Sequence, residues 1–243
     1  MRHFATESGK SKGQFYTPAE VSRIMAQIIG IRSAKTSGDT TVYDPTCGSG
    51  SLLLKVADEA GINVTLYGQE KDSATSGLAR MNMILHNTPT AMIMQGNTLT
   101  DPKFRDGDAL KTFDYVVANP PFSDKRWSTG LDPLHDEHDR FKSFGVPPAK
   151  QGDYAYLLHI VRSLKSAGKG ARILPQAFSS AATPKPNSGA TLCARDTSST
   201  PTNSARRWRT KSFSTSFMKH AISTSAWVQR TKLISGSMPK PRP

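Results

Sequence analysis

Apolar and polar stretches alternate in an ordered way through residues 1–176, and the order then stops. Thr41-Val42-Tyr43-Asp44 is a short β-prone run ending at a glycine-rich turn, Thr46-Cys47-Gly48-Ser49-Gly50. Ser51 precedes Leu52-Leu53-Leu54-Lys55-Val56-Ala57, a strong helix former closed by Gly61. Asn63–Glu70 (NVTLYGQE) predicts the next strand, and Asp72 is placed to cap a helix over Ser73–His86, ended by Asn87 and Pro89. Ala91–Gln95 and Phe113–Ala118 read as two further strands, both as buried apolar runs. Asp153–Ala167 predicts a helix with Tyr154, Leu157, Leu158, Val161 and Leu164 on one face, stopped by Gly168-Lys169-Gly170. Ala171–Leu174 then starts a fifth strand. Alternation of this kind implies parallel strands joined by helical crossovers. The expected fold is α/β, a doubly wound, Rossmann-like sheet.

Composition changes this picture in one place. The 243 residues carry 32 Lys+Arg against 19 Asp+Glu, a net +13 that points to a polyanion such as nucleic acid. Residues 1–176, however, hold 21 basic and 18 acidic side chains, whereas residues 177–243 hold 11 basic ones and a single acid, Asp196. Only eight of those last 67 residues are Leu, Ile, Val or Phe, and about a third are Ser or Thr. That apolar share lies below the ~20% under which a charged chain is not expected to fold. The expected organisation is a folded core over 1–176 and a basic Ser/Thr/Pro-rich tail without structure over 177–243. Two cysteines, Cys47 and Cys193, suit a reducing cytosol better than a disulfide framework. No run of 18 apolar residues is available to span a membrane, and a cytoplasmic location is expected.

In doubly wound sheets ligands bind beyond the carboxyl ends of the strands, and three features fall there. Asp44-Pro45-Thr46-Cys47-Gly48-Ser49-Gly50 has glycines that permit close backbone approach, followed by free N–H groups of a helix; alone, it also fits a plain βα turn. Glu70 ends the next strand, about 20 residues after the glycines, where a carboxylate can accept both ribose hydroxyl protons. Asn119-Pro120-Pro121-Phe122 follows the strand DYVVA. An Asn-Pro turn can simply stop a strand, but two prolines withhold N–H donors, so this turn offers acceptors. The Asn119 side-chain oxygen and the Pro120 carbonyl suit the two protons of a planar amine, and Phe122 offers a stacking face.

At these residues a resemblance is plain. Asp44–Leu54 (DPTCGSGSLLL), Asn119–Phe122 (NPPF) and Gly13–Pro18 (GQFYTP) resemble the motifs of DNA adenine N6-methyltransferases, in the order called the γ class. More narrowly, the chain is similar to the modification subunit of type I restriction-modification systems. Gly96-Asn97-Thr98-Leu99, Asp139-Arg140-Phe141, Gly145-Val146-Pro147-Pro148 and Asp153–His159 continue that pattern. The resemblance covers residues 1 to about 176. It implies S-adenosylmethionine as methyl donor and the N6 amine of a flipped adenine in double-stranded DNA as acceptor. It also implies specificity and restriction subunits of the same system as partners. By motif match, Gln14, Phe15, Tyr16, Thr17, Pro18, Ala19 and Gly48-Ser49-Gly50 line the methionine and sulfonium side. Asp44 holds the amino group, Glu70 the ribose, and Asn97 lies near the adenine ring of the cofactor. Asn119, Pro120, Pro121 and Phe122 take the catalytic place at the target base, and no metal is implied.

Other expectations follow. Cys47 is read as a small buried residue rather than a nucleophile. Ser123–Gly152 is read as a mobile cover over the target base, and His135 and His138 with Asp132 and Asp136 do not make a full metal set. The pattern departs from the family at both ends. The chain begins almost on the GQFYTP element, and after Leu174-Pro175 it turns abruptly to AFSSAATPKPNSG. An internal or truncated start, and an out-of-frame segment after about residue 176, are therefore expected, with a sheet incomplete at its last strands. The alternatives are a methyltransferase acting on cytosine N4 or protein glutamine, and a non-catalytic remnant that binds only cofactor or partner subunits.

Overall fold

The computed structural model describes residues 17–61, 64–122, 124–142, 144–149 and 152–175, with the backbone of 190–195 and 208–212. Its first element is a helix absent from the sequence reading, α1 (Ala19–Ile29). Ser22, Met25, Ala26 and Ile29 are buried at i, i+3, i+4 and i+7, one helical stripe. Pro18 leads into it, and Gly30 closes it in the left-handed conformation (φ +69°). Next come β1 (Thr41–Asp44), α2 (Ser51–Ala60), β2 (Thr65–Glu70), α3 (Ser73–Leu85) and β3 (Met92–Gln95). A small hairpin of β4 (Arg105–Asp106) and β5 (Ala109–Leu110) precedes β6 (Phe113–Ala118), α4 (Gly152–Arg162) and β7 (Leu164–Pro175). Asp72 caps α3 as its sequence position suggests, accepting the Thr75 N–H at 2.9 Å. Replacing Asp72 by Ala is expected to cost about 1 kcal/mol, read as a shift of the urea midpoint.

The main sheet runs β3-β2-β1-β6-β7, all parallel. Alternate residues of the central strands feed two layers. Val42, Leu66, Val117 and Ile173 pack with Met25, Ile29, Leu52, Leu53, Val56 and Met83 of α1, α2 and α3 on one face. Tyr43, Val116 and Ala118 pack with Phe113, Ile160 and Leu164 on the other, where Tyr43 stacks on Phe113 at 4.4 Å between centroids. Both faces of the sheet are covered, as parallel strands require.

Three expectations are corrected. Met92–Gln95 is an edge strand: it stands at the end of the sheet order, and only Ile93 of β3 is buried. The last helix ends at Arg162, and its buried residues are Ala155, Tyr156, Leu158 and Ile160, with Asp153 and His159. Asp153 is drawn inside by the Arg172 guanidinium, which bonds both its backbone and side-chain oxygens. Leu164–Gly170, read as helix end and terminator, belongs instead to β7, which pairs with β6 across a register shift between Phe113 and Tyr115. Beyond Pro175 two short backbone strands are described. β8 (Ala190–Arg195) adds antiparallel to β7, and β9 (Trp208–Ser212) to β8. The rest of the tail lies outside the described residues.

Candidate active site

Strand connections run outward in opposite directions from β1 and β6, so the crevice between their carboxyl ends is the topological switch point of the sheet. The turns after β1, β2, β3 and β6 and the start of α1 are the elements that carry the candidate residues.

The turn after β1 is held by its own backbone. Cys47 N donates to Gln69 O at 3.0 Å and Gly50 N to Cys47 O at 2.8 Å. Gly48 and Gly50 adopt φ of +54° and +78°. The left-handed conformation at Gly50 favours glycine there, and a Cβ would also displace the flexible end of the Met83 side chain. The amide of Asn82 bonds Ser49 O at 3.0 Å. Cys47 is buried, with its thiol pushed upward by desolvation and by Asp44 and Glu70, which suits packing rather than nucleophilic attack.

Glu70 closes the turn from the neighbouring strand. Its Oε2 accepts the Gly48 N–H at 3.0 Å and its Oε1 the Asp72 N–H at 2.9 Å. Each carboxylate oxygen keeps capacity for a second donor, which is what a pair of ribose hydroxyls needs. Asp44, only 1% exposed, accepts the Thr46 N–H on Oδ1 at 2.9 Å. Burial and the nearby Glu70 charge, against the Thr46 bond, push its carboxyl up to about 8. Two carboxylates thus flank the glycine turn, and a bound cation would relieve the strain between them. The α-ammonium, sulfonium and ribose diol of S-adenosylmethionine fit that donor set.

The turn after β3 is tied to the same place. Asn97 Oδ1 accepts the Leu99 N–H at 3.1 Å, and Thr98 Oγ1 donates to Pro45 O at 2.5 Å. From β6, the Asn119 amide donates through Nδ2 to Thr17 Oγ1 at 3.2 Å. That bond fixes the amide with its donor end on the residue before Pro18-Ala19, leaving Oδ1 as the acceptor. Pro120 is buried, Pro121 partly so, and Phe122 is 49% exposed at the rim. The structure therefore gathers Thr17, Pro18, Ala19, Asp44, Gly48, Ser49, Gly50, Glu70, Asn97 and Asn119–Phe122 on the carboxyl edge of one sheet. Gln14, Phe15 and Tyr16 lie outside the described residues.

Ser123–Gly152, read as a mobile cover, is packed against the body. Although residues 124–149 contain neither helix nor strand among the described residues, they pack into a core of their own with the body. Trp127 and Phe141 meet edge-on at 5.7 Å and pack with Leu99, Ala155, Tyr156 and Leu158. Trp127 Nε1 bonds Pro148 O at 3.2 Å, and Gly152 N bonds Asp124 O at 3.1 Å, pinning the two ends together. Aromatic anchors spaced too irregularly for a helix or strand pattern hid this packing from the sequence.

Residues outside the expected set support the site from beneath. Arg140 is buried against Asp136, with guanidinium–carboxylate distances of 2.5–3.0 Å, and its Nη1 reaches Thr98 O at 3.5 Å. Burial alone would raise the Asp136 carboxyl, but the Arg140 guanidinium holds it below the ordinary range. His159 Nε2 lies 3.3 Å from the Tyr43 hydroxyl, and burial together with the Arg140 charge keeps the imidazole well below its ordinary pKa, hence neutral. The signal for both was present in the Asp139-Arg140-Phe141 and Asp153–His159 segments, which carried no assigned role. Asp136 is engaged with Arg140, and His135 pairs with Asp132 at the surface. Among the described residues no three His, Cys, Asp or Glu are grouped to hold a metal.

This arrangement accords with the matches to known proteins. Residues 1–185 match the N-6 DNA Methylase family. The chain belongs to that family. Within it, this N-6 DNA methylase chain is 37% identical to the type I restriction enzyme MpnII methylase subunit of Mycoplasma pneumoniae, over 69% of this chain and 32% of that one. It is 29% identical to the MjaIX methylase subunit of Methanocaldococcus jannaschii, over 70% of this chain and 30% of that one. Among solved structures it resembles the methyltransferase subunit of a type I restriction-modification system from Streptococcus thermophilus, with a TM-score of 0.60 and 38% identity, covering 72% of this chain and 37% of that one. The chain thus spans about a third of the length of the relatives it matches. The α/β sheet is that of the S-adenosylmethionine-dependent methyltransferases, and among the described residues no helix is long and apolar enough to cross a membrane.

Proposed function

We propose that this chain carries the catalytic core of a type I modification subunit, an adenine-specific DNA methyltransferase working in the cytoplasm with specificity and restriction subunits. The observation that carries the reading is the Thr17–Asn119 bond, which ties the amide after β6 to the start of α1, β6 pairing directly with the β1 strand that ends in Asp44. S-adenosylmethionine supplies a methyl group already activated on its sulfonium. The chain itself supplies position. Asp44 and Glu70 hold the ammonium and ribose hydroxyls, with Gly48-Ser49-Gly50 and Thr17-Pro18-Ala19 beside them and Asn97 toward the cofactor's base. An adenine reaches Asn119 only after leaving the duplex stack, at a cost of a few kcal/mol. Asn119 Oδ1 and the Pro120 carbonyl then accept hydrogen bonds from the two amine hydrogens, turning the nitrogen lone pair away from its ring and toward the methyl group, while Phe122 stacks on the base; one amine proton passes to solvent as the methyl group is taken up. Catalysis of this kind is mainly orientation, and no covalent nucleophile takes part.

The test is transfer of labelled methyl groups to DNA, with and without a cognate specificity subunit, with a protein substrate as the parallel arm. Label in adenine N6, enhanced by the specificity subunit, is the expected result; label in protein alone would overturn the reading. We also propose that residues after about 176 are read out of frame, since the family match ends at 185 and the acid content collapses beyond it. Translating the coding DNA in its two other frames past codon 176 should restore family-like sequence, and failure in both frames ends the idea.

A further inference from the structure

Lys125 and Arg126 stand out among the charges of the packed loop. Both are exposed, and neither has an ion-pair partner among the described residues. On the same loop Arg140 is neutralised by Asp136 and Lys142 by Asp139. The two cations are also held in place. On one side Asp124 accepts the Gly152 N–H through its carbonyl at 3.1 Å and the Arg126 N–H through Oδ1 at 2.9 Å. On the other side Trp127, 2% exposed, is locked into the loop's aromatic core and bonded to Pro148. Their side chains are therefore raised from a rigid turn, so little main-chain entropy is lost when they meet a ligand. Phe122 lies three residues before Lys125, at most about 11 Å away along an extended chain.

We infer that Lys125 and Arg126 form a phosphate-binding site that grips the DNA backbone beside the flipped adenine. The inference rests on the proposed function. It assigns the sequence-independent part of DNA affinity to the body's carboxyl edge, where backbone contacts fix register and orientation while carrying no sequence information. A base swung out of the stack stays attached to its backbone, so a fixed pair of cations next to the base-holding turn keeps the flanking phosphates from drifting as the base leaves.

The experiment measures binding of the full chain to a mixed-sequence duplex over a range of salt concentrations. Each phosphate neutralised contributes about 0.9 to the slope of log affinity against log salt. The double variant Lys125→Ala/Arg126→Ala should lower that slope by about 1.8, while cofactor affinity by calorimetry stays at the wild-type value. Arg32→Ala/Lys35→Ala, which removes the same charge near the opposite, amino edge, should leave the slope unchanged. An unaltered slope in the Lys125/Arg126 variant, or an equal loss in the control, overturns the phosphate site alone. A wild-type chain that binds cofactor but no duplex at any salt concentration sinks the proposed substrate, and this site with it.

Discussion

Replacing Asn119 by Ala is expected to lower the rate of methyl transfer to DNA by about 10²–10³-fold while leaving cofactor affinity unchanged. The size follows from what is removed. A preorganised hydrogen-bonding group on the reacting atom is typically worth that factor, since it stabilises the transition state and costs no reorganisation at the moment of reaction. Cofactor binding is spared because Asp44 and Glu70 sit on β1 and β2, and neither bonds Asn119 among the described residues. Thr17→Val separates holding from orienting. It keeps the acceptor but removes the oxygen 3.2 Å from Asn119 Nδ2, so the amide is free to rotate. Its loss should be smaller than that of Asn119→Ala and appear in the chemical step. Single-turnover methylation with saturating cofactor reads both variants. A normal rate in Asn119→Ala would overturn the role given to this turn.

How much of this was legible in the sequence depended on whether local chemistry or distant packing decided the outcome. Phe113–Ala118 was readable to the residue because five of its six residues are buried between two layers and leave an apolar run broken only by Asp114. Asp72 was readable as a cap because an Asn or Asp oxygen before a helix has one obvious partner. The places of Glu70 and Asn119 at strand ends were readable because the turns that follow strands have restricted chemistry. Arg140 and Asp136 were not, since charged residues pattern as surface until a partner is known, and burying a pair needs geometry that no period encodes. The boundary of α4 failed for a related reason: Leu164 continues the helical stripe of Leu157 and Val161 in sequence, yet pairing with Phe113 at the sheet wins it for β7. The net +13 pointed to nucleic acid for a reason separate from the site itself. Most of it lies beyond residue 176, while the candidate site lies in the nearly balanced body.

Asp44→Asn should change the pH dependence of stability more than any other single substitution of the site. In the folded chain burial, with the charge of Glu70, raises the Asp44 carboxyl to about 8, against roughly 4 in an unfolded chain. Below pH ~4 the group is protonated in both states and costs nothing. Between about 4 and 8 the unfolded chain has released its proton and the folded chain retains it, so folding takes up a proton and stability falls as pH rises. At about 1.4 kcal/mol per unit, the wild-type chain forfeits several kcal/mol over that window. Asn preserves the acceptor for Thr46 and has no proton to exchange, so the variant escapes this loss and should be the more stable protein at pH 8 and above. Urea unfolding at pH 5 and pH 8.5 checks it, the difference between variant and wild type widening with pH. The same substitution should weaken cofactor binding, because the carboxylate proposed to meet the ammonium is gone. Wild-type binding near pH 7 should release a proton as the arriving cation draws the Asp44 pKa down, seen as a calorimetric heat that varies with the buffer's ionisation enthalpy. A binding heat independent of buffer, together with a stability difference flat in pH, would place the Asp44 charge outside the site's chemistry.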